Sequence, residues 1–300
     1  MQAPAPAAAP AAAAAEIQRL DLPPILKEIV LSKRGLCILV GGTGSGKSTT
    51  LYSLLAERND PGVNISTVED PIEYTLKGIS QTQVNREKGY DFALALRAFM
   101  RQDPDVLLVG ETRDQETAKT AIEAALTGHL VLSTLHTNDA PSAIARLVDI
   151  GVKPFLVSSS VRAIVAQRLV RRLCPHCKLP GELSDYELQT LQIDPGQIRR
   201  ASVMRPVGCE RCRGRGYRGR MGIFEMFIVD DEVRNMVNNN ASTIALRLRA
   251  RELGMRTLRE DGVRKVLAGM TTAGTKNMEI KVRRSRRAMP SVGRAGSAST

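Results

Sequence analysis

The chain contains no tryptophan, and its five phenylalanines and five tyrosines leave aromatics at 3% of 300 residues. So few rings offer little stacking surface for nucleobases, which argues against a motor that depends on nucleic acid. No apolar run reaches the roughly 18 residues that a membrane-spanning helix requires. Residues 2–15 are almost wholly Ala and Pro with no basic stretch before them. That composition does not fit a secretory signal and reads instead as a flexible lead or linker. Cysteines are few, and four of the five fall in two C-x-x-C pairs. This usage points to metal binding in a reducing cytoplasm more than to disulfides. Cys37 stands apart in an apolar run and reads as a small buried residue.

What is abundant is positive charge, with a formal net of +12. Residues 276–300 carry +6 and residues 162–220 carry +8, so the rest of the chain is close to neutral at −2. The basicity therefore belongs to appendages of a core whose own charge is balanced.

Apolar runs alternate with amphipathic ones along that core. Strands are expected at 36–40, 64–68, 106–110 and 129–134, and helices at 48–57, 91–102, 115–127, 139–150 and 154–173. A short helix is expected over Leu22 to Leu31, with Pro23 and Pro24 at its start. Gly128 suits a helix stop. The alternation implies an α/β fold, a parallel sheet wrapped by helices. From 174 to 222 the pattern breaks into Gly, Arg and Cys, where a small metal-stapled subdomain is expected. Three short helices follow, over Asp230 to Val237, Thr243 to Leu253 and Thr257 to Leu267, with Ser242 as an N-cap. The organisation read from sequence is thus a lead at 1–20, a core at 21–173, a metal subdomain at 174–222, a helical part at 223–270 and a basic tail at 271–300.

Gly41-Gly42-Thr43-Gly44-Ser45-Gly46-Lys47-Ser48 fits G-x-x-x-x-G-K-[ST], with an apolar strand before it and a helix, opening at Ser48-Thr49, after it. Glycines let the backbone wrap a triphosphate and aim its N–H groups inward, and the helix N-terminus adds partial positive charge. Lys47 would reach the β/γ-phosphates of ATP and the Ser48 hydroxyl would ligate Mg²⁺. Such a cradle needs acids to hold the metal and orient a water. Two groups qualify: Glu69, Asp70 and Glu73 in Thr67-Val68-Glu69-Asp70-Pro71-Ile72-Glu73, and Glu111 beyond the run Val106 to Val109. A strand-end turn is the plain alternative for Glu69 and Asp70. Of the histidines, His129 opens a strand and His136 leaves its far end, where it could sense a γ-phosphate.

Cys174-Pro175-His176-Cys177 and Cys209-Glu210-Arg211-Cys212 bring four thiolates to one tetrahedral ion, a closed structural zinc site. A redox dithiol would instead follow a strand and open a helix, whereas this pair follows a segment read as a long helix. Arg97, Arg101, Arg113 and the arginines between Arg162 and Arg220 are mostly surface charge. In ring ATPases one such group can act on a neighbour's phosphoryl.

Taken together, the phosphate loop, the Thr67 to Glu73 acid box, the stretch from Arg101-Gln102-Asp103-Pro104-Asp105 to Glu111 and the His129 to His136 box resemble the type II/IV secretion ATPase superfamily. The similarity covers about residues 22–270, and the cysteines resemble its GspE/PilB branch. The segment from Leu22 to Leu36 is closer to the lead-in of retraction motors. The resemblance implies a RecA-like P-loop NTPase core in a homo-oligomeric, hexameric motor. Such a motor is cytoplasmic and peripheral at the inner membrane, where it works on a platform protein in pilus assembly or secretion. It further implies Glu73 as general base with Glu69 as a secondary acid, Glu111 as the metal-side acid, His136 as the γ-phosphate-linked histidine and Arg113 as a contact across subunits. Superfamily members carry a folded domain before this core, a place taken in this sequence by the Ala/Pro lead. Two other readings stand beside it: a nucleic-acid-dependent P-loop ATPase, and a subunit that binds nucleotide without turnover.

Overall fold

A computed structural model of the protein describes residues 22–193, 195–198 and 201–274. The Ala/Pro lead and nearly all of the segment read as a basic tail lie outside these residues. Among the described residues, seven strands form one sheet in the order β3-β2-β4-β5-β1-β6-β9. They are β1 (Gly35–Val40), β2 (Ile65–Glu69), β3 (Ser80–Gln83), β4 (Val106–Val109), β5 (Leu130–Leu135), β6 (Val161–Leu173) and β9 (Tyr217–Ile228). All neighbours run parallel except β6 and β9. A two-stranded ribbon of β7 (Leu179–Pro180) and β8 (Met204–Arg205) stands apart.

Strands β1, β2, β4 and β5 are buried along their whole length, as expected of a parallel sheet covered on both faces. Their side chains alternate between two cores. Leu36, Ile38 and Val40 of β1 join Leu107, Val131 and Ile164 on one face. Cys37 and Leu39 join Leu108, Leu132 and Val165 on the other. Cys37 is fully buried, and burial pushes its thiol up to about 12. It behaves as the apolar residue expected of it.

The second face is covered by α1 (Pro24–Val30) and α2 (Lys47–Arg58). The first takes α3 (Phe92–Phe99), α4 (Gln115–Leu126), α5 (Ser142–Asp149) and α6 (Pro154–Ser160), joined by α9 (Asp231–Asn238) and α10 (Thr243–Glu252). Helices α7 (Asp185–Leu191), α8 (Pro195–Ile198) and α11 (Leu258–Leu267) complete the α-helices of the described residues. Six helix starts are set by side chains that satisfy free backbone N–H groups. Asp91, Asp114, Asp230 and Ser242 cap α3, α4, α9 and α10, while Ser184 and Thr257 form reciprocal capping boxes with Glu187 and Glu260. Pro24 sits at the first turn of α1, and Gly128 follows α4 at φ 120°.

The expected helix at 154–173 is corrected by the structure. Helix α6 stops at Ser160, and Val161 to Leu173 is the longest strand of the sheet. Ser158, Ser159 and Ser160 turn their hydroxyls back onto the carbonyls of Phe155 and Leu156, occupying acceptors at the helix end. The residues that follow then pair on both sides, parallel to β1 and antiparallel to β9. Cross-strand pairing of Val161, Ile164, Val165 and Val170 overrides a helical reading of the apolar spacing. Strand β9 was not expected either, and it crosses from the cysteine-rich segment into the one read as helical at residue 223. Its presence makes one edge of the sheet antiparallel. A third core, with Val170, Met221, Ile223 and Val266, joins this edge to α11. There Lys265 is wholly buried, donating to the Gly222 carbonyl at 2.6 Å and lying 3.3 Å from Asp261, which accepts from the Phe224 N–H at 3.0 Å.

Candidate nucleotide site and metal centre

The loop between β1 and α2 passes through Gly41, Gly44 and Gly46 at φ 147°, 72° and 88°. Two of these positions have no room for a side chain. A Cβ at Gly41 would lie 2.5 Å from the Gln167 carbonyl oxygen, and one at Gly46 would lie 2.9 Å from Gln167 Nε2. Gln167, fully buried on β6, donates to the Ser45 carbonyl at 3.0 Å and accepts from the Thr50 hydroxyl at 2.9 Å. It ties the crown of the loop to the first turn of α2. No sequence motif marked it, because it sits in the segment read as helix.

Lys47 folds back over the loop, donating to the carbonyls of Gly41 at 2.8 Å and Gly42 at 3.3 Å. Burial lowers its pKa below the ordinary lysine value, and the charge of Glu111 opposes that shift. Ser45 Oγ is buried without a hydrogen-bond partner inside the loop. A cradle of N–H groups holding an orphaned hydroxyl and an ammonium fits the oxygens of a phosphate chain.

The ends of β2, β4 and β5 bring the acids and one histidine to this loop. Gly110 donates to the Val68 carbonyl at 2.8 Å, Thr112 to that of Thr134 at 2.9 Å, and the Thr134 hydroxyl to that of Gly110 at 2.8 Å. Glu111 is thereby fixed at the mouth of the site. One carboxylate oxygen lies 2.6 Å from the Arg113 guanidinium and the other 2.7 Å from His136 Nε2. The Glu111 carboxylate raises the pKa of Arg113, whose side chain is largely exposed. His129 is remote in role as well as place: its Nδ1 lies 2.9 Å from the Ala124 carbonyl at the end of α4. Arg97 pairs with Glu116 on the surface.

The acid box is organised by hydrogen bonds that its sequence did not reveal. Glu69 is nearly fully buried and accepts from the Tyr52 hydroxyl, from Thr67 at 2.6 Å and from Gln81 at 3.2 Å. Asp70 pairs with Arg86 at 2.9 Å, and the Asp70-Pro71 peptide is cis. Glu73 is exposed at the cavity. Its loop is held by the glutamines of β3, since Gln81 accepts from the Leu76 N–H at 2.6 Å and Gln83 from the Ile72 N–H at 3.4 Å. A polar edge strand is hard to see by hydrophobic pattern, and this role explains its polarity.

These groups line one open cavity of about 480 Å³, bounded by Thr43 to Thr49, Glu69, Asp70, Glu73, Glu111 and His136. Arg220, an exposed cation on β9, also lines it. Sequence reasoning included Arg220 only as one arginine among many. The Ser48 hydroxyl and the Glu111 carboxylate border the same space, and oxygen donors of this kind suit Mg²⁺.

The four thiols form a second centre. Sγ of Cys174 and Cys209 lie 3.9 Å apart, those of Cys177 and Cys212 3.8 Å, and those of Cys209 and Cys212 3.8 Å. Zn–S bonds of about 2.3 Å in a tetrahedron demand S···S edges of about 3.8 Å. Backbone N–H groups of Cys209 and Gly216 point at Cys212 Sγ from 3.1 and 3.2 Å. Burial opposes ionisation of Cys212, but these donors outweigh it and draw its thiol down to about 6. The first pair follows strand β6 and not a helix, so that part of the case against a redox dithiol falls. The quartet rests on the sulfur geometry instead.

A mostly parallel sheet carrying a glycine loop, a folded-back lysine and strand-end acids defines a P-loop nucleotide-binding protein. The chain belongs to the type II/IV secretion system protein family, whose model matches residues 12–284. It is 50% identical over 246 residues to the type IV pilus assembly ATPase PilB of Thermus thermophilus, covering 82% of this chain and 28% of that protein. It is 52% identical over 248 residues to type II secretion system protein E of Pseudomonas aeruginosa, covering 83% of this chain and 49% of that protein. The chain thus spans between about a quarter and a half of these relatives' lengths. Among solved structures, the pilus retraction motor PilT with bound ADP aligns at a TM-score of 0.64 and 32% identity, over 85% of this chain and 64% of that one. The ATPase DotB of Legionella pneumophila, at 24% identity and a TM-score of 0.61, shares the fold. No described helix is long and apolar enough to cross a membrane.

Proposed function

We propose that this chain is the ATP-hydrolysing part of a motor subunit for type IV pilus assembly or type II protein secretion. The observation that carries the proposal is the single cavity in which the phosphate loop with Lys47 faces Glu73 and Glu111. Relatives described as a pilus assembly ATPase and a secretion system protein E support the choice of process.

In this reading the N–H groups of Gly42 to Ser48, with Gly41 and Thr49 flanking, bind the phosphates of ATP. Lys47 leaves the carbonyls of Gly41 and Gly42 to reach the β/γ oxygens. Ser48 and Glu111 would hold Mg²⁺, which when bound neutralises the β/γ charge. Glu73 accepts the proton of the attacking water. His136, beside Glu111, hydrogen-bonds the γ-phosphate end and reports its loss. Arg113 leaves Glu111 to contact a neighbouring subunit, and Arg220 adds positive charge at the cavity. Glu69 acts as a secondary acid that shapes the box. Cys174, Cys177, Cys209 and Cys212 would hold a structural Zn²⁺ with no open ligand position. The assembly is a homo-oligomer, a hexamer, seated in the cytoplasm against an inner-membrane platform protein.

Phosphate release from Mg-ATP and particle size, measured together with and without platform protein and with and without nucleic acid, test this reading. Turnover that is lost in Lys47→Ala and indifferent to nucleic acid supports it. Turnover equal in Lys47→Ala, or dependent on nucleic acid with a steep salt response, refutes it.

A further inference from the structure

We infer that Tyr52, a residue of the phosphate-loop helix, is the positioning residue that sets Glu73 against the nucleotide, with Glu69 as its anchor. The inference deepens the proposed function and rests on Glu73 being the general base. Tyr52 lies one turn beyond Ser48 on α2 and is 2% exposed. Its ring meets that of Tyr74 edge-on, with centroids 4.7 Å apart and planes at 85°. Its hydroxyl donates to Glu69 Oε2 and accepts from the Glu73 backbone N–H at 3.3 Å.

A phenol has one proton to give, and a carboxylate can only accept. With Tyr52, Thr67 and Gln81 all donating to it, Glu69 is held as a fixed acceptor and is poorly placed to take a proton from water. Its carboxylate instead fixes the direction of the Tyr52 O–H. That direction leaves a phenol lone pair for the N–H of Glu73 and so fixes the backbone from which the Glu73 side chain departs. Burial and the adjacent Glu69 charge both keep Tyr52 protonated, which the arrangement requires. One residue thereby belongs to both halves of the site. The helix whose first turn cradles phosphate also carries the group that holds the base loop, so the two keep their spacing.

Tyr52→Phe removes the hydroxyl and retains the ring against Tyr74. Steady-state hydrolysis by the full chain should show kcat about tenfold lower with KM for ATP within about twofold, because misplacing a base costs rate without costing phosphate contacts. In a Glu73→Gln background the same change should alter kcat less than about twofold, since its route of action is already gone. Amide exchange gives a readout without turnover: residues 72–76 should exchange about fivefold faster in Tyr52→Phe, with residues 47–58 unchanged. Unchanged exchange at 72–76, equal acceleration across 47–58, or a full tenfold loss added to Glu73→Gln would each overturn the inference. If Glu73→Gln alone retains wild-type kcat, the general-base reading fails, and the exchange result still decides whether Tyr52 holds this loop.

Discussion

Gln167→Leu should weaken the protein and its nucleotide loop together. The substitution keeps most of the side-chain volume and removes both polar ends from a site that is fully buried. Two partners lose their bonds: the Ser45 carbonyl, which received Nε2 at 3.0 Å, and the Thr50 hydroxyl, which gave to Oε1 at 2.9 Å. An orphaned buried polar group costs about 1 to 3 kcal/mol. The Thr50 hydroxyl can turn back along its own helix, so its share falls at the lower end, and the Ser45 carbonyl has no such recourse. The sum is about 3 kcal/mol. For a domain of this size that corresponds to a fall in Tm of about 6 to 12 °C. Because the lost bonds hold the loop crown, KM for ATP should also rise by about tenfold. Urea unfolding with paired wild-type and variant protein, alongside nucleotide titration, measures both. A stability loss under about 0.5 kcal/mol with unaltered nucleotide affinity would refute the claim that Gln167 braces the loop.

Other outcomes follow from the same structure. Lys265→Met removes the buried ammonium from Asp261, which keeps Arg264 at 3.0 Å and the Phe224 N–H, and orphans the buried Gly222 carbonyl; a loss of about 1 to 3 kcal/mol in urea unfolding is expected, and no change would refute the buried pairing. Cys209→Ser should reduce bound zinc to background in a chelator-dye assay and speed proteolysis within 174–216, while metal content equal to wild type would remove Cys209 from the ligand set. Arg205 holds the Glu187 carboxyl down at about 2, and Arg251 does the same for Glu260. Both folded values lie below the ordinary glutamate value of 4.5, so the stabilisation is present above pH 4.5 and is lost as pH falls from there toward 2. Glu187→Gln should flatten that acid limb in thermal melts taken between those limits, and an unchanged limb would count against the Arg205 pairing.

The parts legible in the sequence are those whose physics is local. The strand Gly35–Val40, the glycine loop and helix α2 follow one another because apolar run, positive-φ glycines and helix former occur in contiguous order. The thiol quartet was legible from spacing, although strand β6, and not the expected helix, precedes it. What escaped depends on partners distant in the chain. Val161 to Leu173 has spacing compatible with a helix, and only pairing with β1 and β9 makes it a strand. Gln167 in that strand has partners 122 and 117 residues away and so carries no local signal. Ser80–Gln83 carries no hydrophobic alternation, since its glutamines serve the loop at 72–76. Arg220 reaches the cavity through the β6–β9 register, in which it lies opposite Arg171.

One cavity joins the phosphate loop to Glu73 and Glu111, and ATP hydrolysis there is the activity proposed for the chain. Phosphate release from Mg-ATP, followed side by side in wild type, Lys47→Ala and Glu73→Gln together with the affinity of each for ATP, tests it most directly. Lys47→Ala should lose both binding and turnover, while Glu73→Gln should keep affinity within about twofold and lose at least about a hundredfold in rate. Wild-type rates in either variant would contradict it.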